Sequence, residues 1–192
     1  MAKWKKGQVW SYDLIIASMI FVVAMAILAF FWWSARTNMS ENKDAIIRES
    51  LKIGDVLMSP GIPADWNTAG GFDPFDDSTW SNVQQIGLAE SWTNRSLSVN
   101  KLNNLRTMSS TNYSYTRSLL RSKYNFYVEF KFRNTRNNNL EQPVLMDGLP
   151  ITAGSPYNDM TVKAIARDDR VVVYNNSIII MRLYLWSNSN AD

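Results

Sequence analysis

The chain has 192 residues with neither Cys nor His, and a formal net charge of +3. Those absences exclude a disulfide scaffold, thiolate and imidazole metal sites, Cys nucleophiles and every His-based acid–base mechanism. Without Lys3, Lys5 and Lys6 the chain balances 17 basic against 17 acidic residues, so it carries no electrostatic footprint for nucleic acid.

The first element follows a short basic leader, residues 1–7. Lys5-Lys6-Gly7-Gln8 stands directly before an almost unbroken apolar run, residues 14–33. Twenty residues at about 1.5 Å each span about 30 Å, the thickness of one hydrocarbon core. Trp10 and Tyr12 at one end, and Trp32 and Trp33 at the other, occupy the levels of interfacial aromatic belts. An ordinary secretory signal is cut after its apolar stretch, but the small-residue site after Ala35 would put bulky Trp33 where a small residue is required. The basic junction with a small residue lies ahead of the run, at Gly7 and Gln8. A cut there keeps the helix as the new N-terminus. Three lysines precede the span and only Arg36 sits at its outer edge, which predicts an inside N-terminus and an outside C-terminal domain.

Helical spacing continues past the span. Between residues 41 and 57, Ile46, Ile47, Leu51, Ile53, Val56 and Leu57 fall on one arc, and Glu41, Asp44, Arg48, Lys52 and Asp55 on the other. Ser59-Pro60-Gly61 ends the helix, because Pro cannot continue it and Gly permits the turn. The predicted organisation is a leader at 1–7, a transmembrane helix at 8–35, its amphipathic continuation at 36–58 and an outer domain at 59–192.

Residues 60–97, with Pro60, Pro63, Pro74 and Gly70-Gly71, read as an excursion of loops. Asp73, Asp76 and Asp77 lack EF-hand spacing and no bidentate Glu follows, so turn and cap roles account for them. No metal and no cofactor is expected. Two short helices are predicted at 100–108 and 113–121, and Pro143, Pro150 and Pro156 flank a second loop. The rest is β. Residues 124–133 alternate Phe126, Val128, Phe130 and Phe132 with polar neighbours, and 160–167 alternate similarly. Arg167-Asp168-Asp169-Arg170 predicts a turn, and Asn175-Asn176 predicts a hairpin turn between 171–174 and 177–186. The expected fold is α+β, a long N-terminal helix whose second half covers the apolar face of an antiparallel meander of about four strands.

The basic leader, the Gly7-Gln8 junction, the retained helix and the C-terminal antiparallel sheet together resemble archaeal type IV pilin-like proteins with class III signal peptides. The resemblance implies cutting between Gly7 and Gln8 by a prepilin peptidase, then packing of the helices as the core of an extracellular filament. Bacterial relatives usually carry Glu as the fifth mature residue. Here the fifth is Tyr12 and the sixth Asp13, so Asp13 is either the substitute in the assembly contact or an ordinary Asp at the membrane edge.

Four sequons occur, at Asn38, Asn94, Asn112 and Asn175. Outside the cell they are candidate glycosylation sites. Asn38 lies near the membrane and Asn175 in a tight turn, which leaves Asn94 and Asn112 as the better candidates. In an Asn-rich chain several sequons arise by chance. No nucleophile motif, metal cluster or Gly-rich phosphate loop is present, so an enzyme is not expected. The leading expectation is a major or minor subunit of a type IV pilus-like filament. Its partners would be membrane lipid, other pilin-like subunits and the peptidase, with no nucleic acid. The alternative is a single-span anchored adhesion or binding domain that never polymerises.

Overall fold

A computed structural model describes residues 6–132, 141–158 and 161–188, with side chains described for 12–36 and, within those spans, from residue 43 onward. Lys3 and Lys5 of the leader, and the terminal positions Arg133 and Met160 of two expected strands, lie outside the described residues. The chain forms two compact units, Met1–Asn42 and Lys43–Asp192. The helical element α1, Lys6–Leu57, contributes its first part to one and its last turns to the other.

In the second unit α1 packs through Ile46, Ser50, Ile53 and Leu57, each at most 2% exposed. The spacing of four, three and four residues is one helical stripe. The buried stripe is narrower than the sequence arc. Val56 is half-buried, and Ile47 and Leu51 remain exposed at 48% and 46%. The chain then leaves the helix through Ser59-Pro60-Gly61 and enters the expected excursion, which holds two 3-10 segments, Ala69–Gly71 and Asp77–Asn82. Leu88 N–H donates to the carbonyl of Leu57 at 2.9 Å and Ala89 N–H to that of Ser59 at 3.0 Å, so the excursion folds back onto the helix end. That crossing requires Gly87, where a Cβ would stand 2.2 Å from the Ser59 carbonyl oxygen and 2.3 Å from the Gly61 nitrogen.

Helices α2, Val99–Thr111, and α3, Tyr113–Leu119, lie where periodicity placed them. Asn112 separates them, its side-chain oxygen accepting from Tyr115 N–H as the α3 cap. Strands β1, Asn125–Phe132, β6, Val162–Tyr174, and β7, Ser177–Asn188, are the long members of an antiparallel sheet. Between β1 and β6 the segment expected as a loop contains four short strands: β2, Gln142–Pro143, β3, Leu145–Met146, β4, Leu149–Pro150, and β5, Thr152–Gly154. β3 and β4 pair across Asp147-Gly148, whose φ values of 54° and 78° suit a tight hairpin turn. The main sheet runs β2-β1-β7-β6, with β5 on the β2 side of β1. Its inner face, including Phe126, Val128, Phe130, Ile179, Met181, Leu183 and Leu185, shares one core with Leu57, Trp66, Trp80, Leu102, Leu105 and Met108.

Two expectations are corrected. The sheet is not a meander in chain order, because β7 lies between β1 and β6. Arg167-Asp168-Asp169-Arg170 is not a turn but the middle of β6, paired residue for residue with Tyr184, Leu183, Arg182 and Met181. The two strands predicted on either side are one strand of 13 residues. Alternation explains it: Arg167 and Asp169 lie on one face and Asp168 and Arg170 on the other, so each charge meets a partner without breaking the ladder. The turn at Asn175-Asn176 is as expected, with φ of 45° and 59°, both in the left-handed region that hairpin turns need.

Candidate functional site

The functional element indicated by the sequence is the first part of α1. Tyr12–Arg36 forms a helical stretch of 25 residues, long and apolar enough to cross a membrane, none of it buried. Apolar residues run through it without Pro or Gly. Its one acidic residue, Asp13, lies in the first turn of the stretch and is exposed. The hydroxyl of Ser18 donates to the carbonyl of Ile15 at 2.8 Å, so this polar group is satisfied within the helix. Fifteen large apolar side chains from Leu14 to Trp33 are about half to three-quarters exposed. At roughly 1.5–3 kcal/mol for burial of each, keeping them in water costs on the order of 20 kcal/mol or more. A domain stable by about 5–15 kcal/mol does not carry such a surface into water. The helix is compatible with single-pass anchoring in a membrane.

In the second unit the last turns of α1 are fixed to β6 by an inward-facing ion pair. Arg170 donates to Asp168 at 2.8 Å and to the carbonyl of Leu51 at 3.1 Å, and pairs with Asp55 at 2.9 Å. The approach is close because residue 54 is Gly: a Cβ there would come within 2.2 Å of the Asp168 carboxylate. Glu49 anchors the other side of the helix, accepting from Ser122 Oγ at 2.9 Å and from Lys123 N–H at 3.0 Å.

On the outer sheet face Arg182, 5% exposed, makes paired bonds to two carboxylates. It reaches Asp169 at 2.9 and 3.0 Å and Glu141 at 2.6 and 2.8 Å. Arg167 also binds Asp169, and Lys131 pairs with Glu129 at 2.8 Å. Arg167 first, then Arg182, holds the Asp169 carboxyl well below the ordinary carboxylate range, and Arg182 lowers that of Glu141. Tyr127, Tyr157, Tyr184 and Trp186 continue this face as an aromatic group with ring centroids 5.2–6.3 Å apart.

Gly7 and Gln8 lie in the first turns of α1, and Asp13 less than two turns further on. Asn94 sits in an exposed loop of the second unit, whereas Asn112 is half-buried and occupied by its capping bond and by Asp77, to which it donates at 2.6 Å. The Asp cluster takes turn and cap roles: Asp73 accepts from Phe75 N–H and Asp76 from Ser78 N–H. Among the described residues no group of three acidic side chains is arranged to hold a metal ion.

Two structural centres were missed by the sequence reading. Lys101 is 4% exposed, and its ammonium donates to the carbonyls of Pro60, Ala64 and Ala89 at 2.8, 2.6 and 2.9 Å. Burial pushes its pKa below the ordinary lysine value, opposed by Asp65 and Glu90. A lysine on a helix face gives no sequence signal of this kind. The β3–β4 hairpin did have one, the Asp147-Gly148 dipeptide. Comparison with protein-family models, curated proteins and solved structures returns no match.

Proposed function

We propose that the protein is a membrane-anchored, outward-facing subunit of a type IV pilus-like filament, cut between Gly7 and Gln8. The observation that carries this reading is the unburied apolar stretch Tyr12–Arg36, joined in one helical element to turns that dock on an antiparallel sheet. In the membrane lipid covers that stretch; in the filament copies of the same helix replace lipid, with Ala17, Ser18, Ala24 and Ala26 allowing close approach. Asp13 near the start of the helix is the residue available to meet a neighbouring subunit's new amino terminus. The domain performs no chemistry in this reading.

The test is N-terminal peptide mass spectrometry on native membranes and sheared material, followed by electron microscopy. A mature start at Gln8, with the protein in sheared filaments, is the expected result. A start at Met1 or beyond Ala35 sinks the pilin-like reading. Cutting at Gln8 with only membrane monomer, under co-expression of the neighbouring subunits, makes the protein an anchored binding domain instead. Ala24→Trp and Asp13→Ala are expected to leave insertion intact and to abolish sheared assemblies.

A further inference from the structure

Of the four sequons, the tertiary structure separates one from the rest. Asn94 is exposed at the tip of a loop whose base is closed by the Ala89–Leu97 bridge and by Glu90 N–H donating to Ser96 at 2.9 Å. Within that loop the sequon is already bent on itself: the Asn94 side-chain oxygen accepts from Ser96 N–H at 3.1 Å and from Ser96 Oγ at 2.7 Å. The hydroxyl that defines the sequon therefore touches the carboxamide to be modified. Nδ2 donates one hydrogen to Glu90 at 2.6 Å, leaving its second hydrogen to be replaced.

The other three sequons are held differently. Asn112 is half-buried, its oxygen caps α3, and Ser114 lies inside that helix. Ser177 of the Asn175 sequon is paired in the β6–β7 ladder with Tyr174. Asn38 and Ser40 lie within α1. A transferase has to enclose an extended or looped sequon, and helix or ladder bonds oppose that. A further observation on the Asn94 loop itself points to a covering group. Trp92, two residues before Asn94, is 66% exposed, one of two aromatic side chains of the second unit exposed beyond 60% among the described residues. An indole offers a flat apolar face to the C–H side of a sugar ring.

We propose that Asn94 is the N-glycosylation site of the outer domain, with Trp92 covered by the attached sugar. The donor is a sugar carried on a lipid phosphate or diphosphate. Nδ2 forms a bond to the anomeric carbon, the carbon–oxygen bond to phosphate breaks, and the phosphate leaves with the electron pair. One Nδ2 proton passes to a base of the transferase, and the remaining N–H keeps its bond to Glu90. The inference rests only on the outward orientation of the domain and not on polymerisation.

Peptide mass spectrometry of the full-length protein from its native membranes tests it, with protease added to intact cells to establish orientation. The Asn94 peptide is expected to be shifted by sugar masses and to release sugar fragment ions, with the Asn112 and Asn175 peptides unshifted. The mobility shift of the whole protein is expected to be lost in Asn94→Gln and Ser96→Ala and kept in Ser96→Thr. An unmodified Asn94 peptide in a protein whose domain is cleaved from outside overturns the proposal while leaving the filament reading intact. Sugar on Asn112 or Asn175 with Asn94 bare overturns it equally. A domain fully protected from protease in a permeable envelope overturns the orientation and both readings together.

Discussion

Replacing Arg182 by Met tests whether the outer-face charge cluster holds the sheet together. Arg182 makes four charge-assisted bonds of 2.6–3.0 Å, to Asp169 on β6 and to Glu141 just before β2, and so ties together elements on both sides of β7. Its side chain is 6% exposed, while those of Asp169 and Glu141 are 33% and 35% exposed. On removal, water reaches the two carboxylates, Arg167 still holds Asp169, and Lys131 remains 3.6 Å from Glu141. The loss is therefore placed at about 3 kcal/mol, the lower end for breaking a buried ion pair. For a unit of this size that lowers the melting midpoint by about 6–12 °C. The assay is near-ultraviolet circular dichroism of the full-length protein in detergent, which follows the packing of Trp66, Trp80 and Trp186. Arg182→Lys should fall between wild type and Arg182→Met, since one ammonium cannot replace two forked contacts. A melting midpoint for Arg182→Met within about 2 °C of wild type would refute the reasoning.

Lys101→Met leaves the carbonyls of Pro60, Ala64 and Ala89 without their shared donor, offset by relief of a buried ammonium, for a net loss of roughly 2–4 kcal/mol; urea unfolding should show a lower midpoint at unchanged slope. Gly87→Ala forces a Cβ against backbone atoms of Ser59 and Gly61 that belong to the helix exit, costing about 1–3 kcal/mol, measurable in the same titration. Asp169 and Glu141 have folded-state pKa values below their unfolded ones, so their contribution is fully present above about pH 5 and is lost progressively as pH falls below it. Melts between pH 6 and pH 3 should show this loss, and the Arg182→Met protein should show a shallower one.

The sequence alone determined the elements whose signals are local. The apolar run and the stop at Ser59-Pro60-Gly61 set the α1 element, which ends at Leu57. Alternation set β1, and Asn175-Asn176 set the β6–β7 hairpin, because positive φ and period two are properties of a few neighbouring residues. Four successive charges at 167–170 read locally as a turn, since nothing in the segment itself shows where those charges go. Only the fold brings Arg182 against Asp169 and Gly54 against Asp168, so that two charges are satisfied on each face and the strand continues. The same holds for Lys101, whose three carbonyl partners lie 12 to 41 residues away. It holds too for Ile47 and Leu51, which have the right period but face away from the buried stripe. Among the sequons, identical in sequence pattern, exposure and backbone pairing separate Asn94 from Asn112 and Asn175. Periodicity fixes what a segment can be; which charges, carbonyls and amides find partners is decided by contacts between segments far apart in the chain.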